Sequence, residues 1–176
     1  MLFRDLVEKR RSIRAFEDRS LEDGMLEVIL QAANRAPSAG NLQAYEIVCV
    51  SDKGRRDALA GTASRQEFLA DAPVVLAFFA HPRRSSTTYG SRGANLYCVQ
   101  DATIACAYAE LMANDLGLAS VWIGAFDGPA VAQILGAPAD VWPVALLPLG
   151  YGREQVEEAA RSTRRELAEL VKEERF

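Results

Sequence analysis

The sequence predicts one α+β domain. Two short apolar runs rich in branched and aromatic residues, Tyr45–Val50 and Pro73–Phe79, have the length and composition of buried strands. The segment Asp101–Leu116 places small apolar residues at helical spacing and predicts a long helix. Because no repeat, low-complexity tract or linker interrupts the chain, we expect residues 1–176 to form a single domain.

The composition limits the classes of protein that the chain can represent. Its 176 residues are 49% hydrophobic and 25% charged, with a formal net charge of −4. This hydrophobic content excludes intrinsic disorder, and the acidic balance argues against nucleic-acid binding through phosphate neutralisation. The longest apolar run, Ala72–Ala80, is too short to cross a bilayer, and no basic segment followed by an apolar one opens the sequence. We therefore expect a cytoplasmic protein.

Two helices should precede the first strand. Apolar residues from Leu2 onward recur at helical spacing, so the first helix should end near Arg10. The segment Ser20–Asp23 predicts an N-cap with an acidic third position, and the apolar stripe of the second helix follows in Met25–Ala33. Strong loop formers in Pro37–Asn41 should end that helix.

The C-terminal half predicts a loop, two strands and two helices. The polar segment His81–Asn95 lacks any period, so we expect a loop long enough to act as a lid. Val121–Phe126 and Pro143–Leu149 predict short strands, with a helix capped by Asp127 between them. The charged tail, Glu154–Phe176, is expected to be helical.

The cysteines and the histidine do not suggest a catalytic or metal site. Cys49, Cys98 and Cys106 lack a C-x-x-C spacing and have apolar neighbours, so we expect buried, reduced thiols. The one histidine, His81, follows an apolar strand and is expected to be a loop residue. No metal cluster and no Cys–His or Ser–His–Asp arrangement is therefore predicted.

Two features suit a chain that packs against a partner. The small-residue face of Asp101–Leu116 permits close approach of another helix, either within the domain or from a second subunit. The tail carries a narrow apolar stripe at Leu167, Leu170 and Val171. This stripe must pack on its own domain or on a partner, and the pattern leaves both open.

The first candidate binding motif is the basic cluster Arg10-Arg11-Ser12-Ile13-Arg14. The planar guanidinium gives two parallel, charge-assisted bonds to a phosphate, and the Ser12 hydroxyl adds a short donor. A solvated basic patch that pairs with nearby carboxylates is the alternative interpretation.

Two further motifs offer polar groups beside glycine. The loop Pro37–Gln43 interleaves Ser, Asn and Gln with Gly, which suits a heteroaromatic edge or a polyol, although an ordinary turn has the same composition. In Trp122–Phe126, Gly124 permits close approach of a ligand to the backbone and exposes a bare N–H. A buried strand end with a bulge is the alternative there.

Taken in order, these three motifs resemble the FMN-dependent nitroreductase family. The resemblance runs from about Leu6 to the C-terminus. Further matches are Asp71-Ala-Pro73, Tyr97-x-x-Gln100-Asp101, Gly117-Leu118, Leu149-Gly-Tyr-Gly152 and Glu174-Arg-Phe176.

The resemblance implies a three-layer α+β sandwich with a central, mostly antiparallel sheet, and a homodimer that holds two FMN molecules at its interface. The implied cofactor-binding residues are Arg10, Arg11, Ser12, Arg14, Pro37, Ser38, Asn41, Gln43, Gln66, Ile123, Gly124, Ala125, Arg164 and Arg165. The two with catalytic roles would be Arg14, as a cation near flavin N1, and Gly124, whose backbone N–H would face N5.

The remaining implied roles concern the rest of the flavin. The first segment would hold the phosphate and ribityl end, and Arg164 and Arg165 would complete the phosphate site. The loop with Ser38 and Asn41 would reach the flavin from the other subunit. Gln66 would contact the pyrimidine edge.

The implied activity is a ping-pong transfer of hydride from NADH or NADPH through flavin N5 to a nitroaromatic, a quinone or free flavin. Such chemistry needs no protein nucleophile, in agreement with the missing triad. Two alternatives remain open: a flavin-binding sensor or interaction protein without turnover, and a specialised family activity such as dehalogenation.

Overall fold

The computed structural model describes residues 2–63, 66–153 and 164–176. Its sheet is four-stranded and antiparallel, with the strand order β1-β2-β4-β3. The strands are β1 (Tyr45–Val50), β2 (Val74–Ala80), β3 (Ala119–Ser120) and β4 (Trp142–Gly150). The helices are α1 (Phe3–Lys9), α2 (Met25–Asn34), α3 (Lys53–Ala60), α4 (Pro82–Arg92), α5 (Cys98–Asp115), α6 (Gly128–Leu135) and α7 (Leu167–Leu170).

Strand β2 is buried along its whole length because its side chains alternate between two cores. The even-numbered residues from Val74 to Phe78 pack in one core with α2 and α5. The odd-numbered residues from Val75 to Phe79 pack in the other core with α3 and α6. Helices on both faces of one sheet make the three-layer α+β sandwich that the family resemblance implies.

The long helix α5 confirms the predicted helix at 101–116 and forms the centre of one core. Its buried face consists mainly of alanine, which lets neighbouring elements approach closely, and α2 packs against it. Two acidic residues on this helix, Asp101 and Glu110, are also buried. Gly117 adopts the left-handed conformation (φ +81°) just beyond the helix end, as is common for helix C-termini.

The chain between α1 and α2 runs along the β3 edge of the sheet. The Ile13 N–H donates to the Ser120 carbonyl at 2.9 Å. Phe16 is fully buried, and its carbonyl accepts a 2.7 Å bond from Nε of Arg153. These contacts fix the backbone of residues 12–16 beside the sheet.

The prediction of a loop at His81–Asn95 is wrong, because most of this segment is helical. Helix α4 begins after His81, whose ring Nδ1 accepts from the Arg84 N–H at 3.3 Å, and Pro82 occupies its first turn. A kink at Gly90 leads into a π-helical segment, Gly93–Tyr97. The sequence showed no helical period because the side chains of α4 are mostly polar and only Ser85 is buried.

Three other expected elements differ in the structure. Val121–Phe126 is not a strand, and only Ile123 pairs with β4, through Leu146. Helix α2 begins at Met25 after a left-handed Gly24, so Ser20 does not cap it. Helix α3 was not expected at all, because four of its first five residues are Lys, Gly or Arg and its apolar residues are confined to its last three positions.

The expectations for the tail and for one cysteine also change. Residues 154–163 of the predicted helical tail lie outside the described residues, and in 164–176 only the four residues of α7 are helical. Cys98 and Cys106 are buried as expected, but Cys49 is exposed. Within the described ranges, no helix is long and apolar enough to cross a membrane.

Candidate functional site

A buried carboxylate holds the loop between α2 and β1. Asp101, only 2% exposed in the first turn of α5, accepts from the Ala39 N–H through Oδ1 at 2.9 Å and from the Ala44 N–H through Oδ2 at 3.2 Å. Each carboxylate oxygen therefore binds one end of the loop. The sequence analysis did not predict this role of Asp101. The feature that could have indicated it is an acidic residue in a helix whose buried face is mostly small and apolar.

The backbone of this loop is unusual at three positions. Gly40 and Asn41 have φ of +56°, and Gln43 has φ of +46°. Left-handed conformations in non-glycine residues are uncommon and concentrate at binding sites. The Ser38 hydroxyl accepts from the Gln43 N–H at 3.0 Å, and the Gln43 side chain donates to Oδ1 of Asn34 at 2.8 Å. The loop is thus held by its own polar groups, with Pro37 and Asn41 exposed.

Helix α4 contacts the same loop. Arg84 donates to the Gln43 carbonyl at 2.8 Å and pairs with the Glu46 carboxylate at 2.7 Å. Tyr89 lies against Gly40, where a Cβ would come within 2.5 Å of the Tyr89 hydroxyl oxygen. The sequence does not single out Arg84 or Tyr89, because the segment that contains them lacks a helical period and predicts a loop.

The basic cluster after α1 is only partly engaged in contacts. Arg10 Nη1 donates to Oε1 of Glu110 at 3.2 Å, and Arg11 donates to the Arg10 carbonyl at 2.8 Å. Ser12 forms an isolated bridge with Ser120. Arg14 is exposed, and its one hydrogen bond to a described residue is a 3.5 Å contact with the Ser12 carbonyl.

Helix α5 presents a second buried acid to this cluster. Burial raises the pKa of Glu110, and the charge and hydrogen bond of Arg10 lower that pKa in part. One turn farther along, the Asn114 side chain donates to the Ser120 hydroxyl at 2.8 Å. The residues that hold the N-terminal cluster therefore come from α5 and β3.

The segment after β3 ends in exposed backbone. Ile123 is 2% exposed and exchanges two hydrogen bonds with Leu146, of 2.9 and 3.0 Å. Gly124 and Ala125, which follow, are exposed. Among residues 2–63, 66–153 and 164–176, no group accepts a hydrogen bond from the Gly124 N–H. The two hydrogen bonds between Ile123 and Leu146 therefore fix the position of the Gly124 N–H that follows.

A backbone hydrogen bond joins the turn before Gln66 to the segment that follows Gly124. The Asp127 N–H donates to the Thr62 carbonyl at 2.9 Å, which joins the turn before Gln66 to the chain just after Gly124. In the tail, Arg165 bonds to Glu169 through Nε at 3.1 Å, and Arg164 is exposed. In the described part of the chain, neither Arg164 nor Arg165 forms a hydrogen bond or ion pair with residues 10–14.

Within one chain, the N-terminal cluster and the polar loop lie at opposite edges of the sheet. The loop leads into β1 at one edge, and Ser12 pairs with β3 at the other edge. At about 4.8 Å per strand, the two edge strands are about 14 Å apart. The structure therefore brings the cluster close to the backbone of β3 but does not bring it to the loop.

A cavity of about 450 Å³ lies beside the end of β1 and the start of β2, where Ser51 and Val74 line it. Three of its charged lining residues already have partners: Arg56 donates to the carbonyls of Ala70 and Ala72, and Arg19 pairs with Glu22 at 2.7 Å. Because none of the predicted site residues lines this cavity, we place the candidate site elsewhere.

The fold and the placement of these segments define a three-layer α+β protein of the nitroreductase type, and comparisons identify its family. The model of the nitroreductase family matches residues 7–63 and 52–151. The chain therefore belongs to the nitroreductase family.

Individual relatives agree with this assignment. A Thermus thermophilus protein named NADH dehydrogenase is 33% identical over 174 aligned positions, which cover 84% of this chain and 85% of the relative. A Bacillus subtilis FMN reductase (NAD(P)H) is 32% identical, over 80% of this chain and 62% of that longer protein. The crystal structure of a nitroreductase family protein from Clostridium difficile 630 matches with a TM-score of 0.87 and 30% identity over the full length of both chains.

Proposed function

We propose that this chain is an FMN-dependent oxidoreductase that takes hydride from NADH or NADPH and passes it to an electron-poor acceptor in ping-pong order. The acceptors that fit are nitroaromatics, quinones and free flavin. FMN, when bound, supplies the N5 position that accepts and releases hydride. Support comes from membership of the nitroreductase family and from the Bacillus subtilis relative, whose name includes both FMN and NAD(P)H.

The observation that carries the proposal is the exposed Gly124 N–H beyond the Ile123–Leu146 pair. A side chain at this position would crowd a planar ligand, and glycine leaves the approach open: among the described residues other than its two chain neighbours, the one atom within 4 Å of its would-be Cβ is Nε1 of Trp122, at 3.7 Å. A fixed backbone donor in such a place suits the N5 edge of an isoalloxazine ring. The residues present therefore fit the cofactor at this point.

The other residues would bind and orient the cofactor. Arg10, Arg11 and Ser12 would bind its phosphate and ribityl groups, with Arg164 and Arg165 adding positive charge. Arg14, exposed and without a carboxylate partner among the described residues, would place a cation beside the N1 edge. Ile123, Gly124 and Ala125 would border the ring, and Gln66 would donate to its pyrimidine edge.

The polar loop would complete the site of a second subunit. Pro37, Ser38, Asn41 and Gln43 lie at the sheet edge opposite to the basic cluster, so one chain does not bring the two together. Helix α1 exposes Phe3 and Val7, and Leu2 is exposed just before it; these side chains suit an apolar contact with another copy. We accordingly propose a homodimer of single domains spanning residues 1–176, with the cofactor between subunits and with the cytoplasm as its location.

The test is an absorbance spectrum of the purified protein before and after anaerobic addition of NADH and then of NADPH. We expect a yellow protein that bleaches, and the faster nucleotide gives the coenzyme preference. A yellow protein that resists both nucleotides would support a flavin-binding sensor instead. A colourless protein that FMN cannot reconstitute would overturn the proposal.

A further inference from the structure

Glu110 is an exception on the buried face of α5. The buried residues around it on this helix are small and uncharged. Ala109, Ala113 and, one turn earlier, Cys106 are all fully buried. Glu110 itself is 7% exposed. An ionisable side chain is costly to bury unless it is paired, so its presence calls for a partner.

The partner is Arg10. Nη1 of Arg10 donates to Oε1 of Glu110 at 3.2 Å, across 100 residues of sequence. This is the one hydrogen bond of the Arg10 side chain to a described residue. A guanidinium has five N–H donors, so the pair leaves most of them available to a ligand. The Arg10 side chain is 24% exposed, which leaves it accessible to a ligand.

A second set of contacts fixes the backbone next to Arg10. The Glu110 carbonyl and the Ser120 hydroxyl both accept hydrogen bonds from the Asn114 amide, at 2.8 Å each, and the Ser120 carbonyl accepts from the Ile13 N–H. Helix α5 thus holds both the side chain of Arg10 and, through Ser120, the chain that follows it. This arrangement preorganises a cation without exposing its whole side chain.

We propose that Glu110 is a positioning residue that orients the Arg10 guanidinium toward the phosphate of FMN. The inference rests on the proposed function and adds to it a residue of α5 that would touch no part of the cofactor. Glu110 acts by restricting Arg10 to one orientation, so that less side-chain freedom is lost when a phosphate binds.

The experiment measures the dissociation constants of FMN and riboflavin for the flavin-free full-length protein. The variants are Glu110→Ala, Glu110→Gln, Arg10→Ala and the Arg10→Ala/Glu110→Ala pair. Riboflavin lacks the phosphate, so it separates an effect on phosphate binding from an effect on the rest of the site. The matched control is Glu27→Ala, which removes an exposed helical carboxylate that accepts from Gln31.

Glu110→Ala should raise the Kd of FMN about tenfold and leave that of riboflavin unchanged, because a hydrogen bond to a charged group is lost. Glu110→Gln keeps an acceptor oxygen for Arg10 and should stay within about threefold of the wild type. In the Arg10→Ala background, Glu110→Ala should have no further effect. Glu27→Ala should bind both flavins as the wild type does.

Three results would overturn the inference. Glu110→Ala could weaken FMN equally with and without Arg10, weaken riboflavin as much as FMN, or leave FMN binding unchanged. Each would mean that Glu110 does not act through Arg10 on a phosphate. If the wild-type protein binds neither flavin, the proposed function fails and this inference fails with it.

Discussion

The carboxylate of Asp101 accepts a 2.9 Å hydrogen bond from the Ala39 N–H, which joins the first turn of α5 to the polar loop across 62 residues of sequence. Its other oxygen accepts from Ala44 at 3.2 Å. One buried side chain therefore sets both ends of the segment that carries Ser38, Asn41 and Gln43. The position of this loop depends on a residue that belongs to the helix behind it.

Replacing this acid should loosen the loop. Asp101→Asn turns one acceptor oxygen into an N–H2 group that faces a backbone donor, so one charge-assisted bond is lost and one donor is left unsatisfied. We expect the free energy of unfolding to fall by about 2 kcal/mol. Faster hydrogen exchange at the Ala39 and Ala44 amides should accompany this loss.

The matched control is Asp127→Asn. Asp127 caps α6 by accepting from the Ala130 N–H at 3.0 Å in an exposed position, where asparagine caps about as well. Chemical denaturation of both variants gives the comparison. Equal stabilities for the two variants would show that Asp101 does not hold the loop as described.

The tip of the loop gives a second prediction, at Gly40. Gly40→Ala introduces a Cβ at φ +56° and places it 2.5 Å from the Tyr89 hydroxyl oxygen. Gly136→Ala has the same left-handed strain, at φ +65°, and apart from the two chain neighbours no atom of the described residues lies within 4 Å of its Cβ. We expect both substitutions to destabilise the protein by about 1 kcal/mol through backbone strain, and Gly40→Ala to lose a further amount of about 1 kcal/mol through the contact.

The contact can be tested separately through Tyr89→Phe. With the hydroxyl removed, the nearest ring atom would lie 3.4 Å from the new Cβ, which is nearly an ordinary contact. In the Tyr89→Phe background, Gly40→Ala and Gly136→Ala should therefore cost the same free energy of unfolding. If the difference between them persists, the Tyr89 hydroxyl does not limit the loop.

The parts of the fold that the sequence predicted correctly are those that apolar pattern alone determines. Strand β2 and helix α5 fall within three residues of their expected ends, because each buries a continuous apolar run or face. Helix α4 was missed because its stability comes from capping at His81 and from contacts such as that of Arg84 with Gln43. Those contacts join residues far apart in sequence, and no local period reveals them.

The candidate site shows the same division. The basic cluster, the polar loop and the Gly124 segment were predicted from local sequence motifs. The residues that hold these segments in place were not. Asp101 and Glu110 act through single long-range contacts, and only their charge in an alanine-rich helix hinted at a role. Cys49 was expected to be buried because its neighbours are apolar, yet it is exposed on β1, which is an edge strand of the sheet.

Glu110 predicts a dependence of stability on pH. Burial raises the pKa of its carboxyl group above the ordinary value, with Arg10 opposing part of that shift. A carboxyl group whose pKa is higher in the folded state favours folding below the unfolded-state pKa and loses that contribution as pH rises through the folded-state pKa. The stability of the wild type relative to Glu110→Gln should therefore decline as pH rises across this acidic interval.

The measurement is the free energy of unfolding of both proteins from about pH 4 to pH 7, an interval that begins near the ordinary carboxyl pKa. Because all other titrating groups are shared, the difference between the two curves reports Glu110. A difference that grows in favour of the wild type with rising pH would mean that Arg10 outweighs burial and lowers this pKa.

Arg14 gives the prediction that bears most directly on the proposed chemistry. The side chain is exposed, and its contact with the Ser12 carbonyl, at 3.5 Å, is weak, so its charge is available to a ligand. A cation beside the N1 edge would stabilise the negative charge of a reduced flavin. Arg14→Ala should therefore weaken FMN retention and slow anaerobic reduction by NADH or NADPH about tenfold, whereas Arg14→Lys should keep most of the rate because it keeps the cation.

Arg55→Ala, which removes an exposed arginine from α3, is the matched control and should change neither quantity. Stopped-flow bleaching of the flavin absorbance and the flavin content after gel filtration measure the two effects. Wild-type values for Arg14→Ala in both measurements would remove Arg14 from the site and leave Gly124 as its one proposed catalytic group.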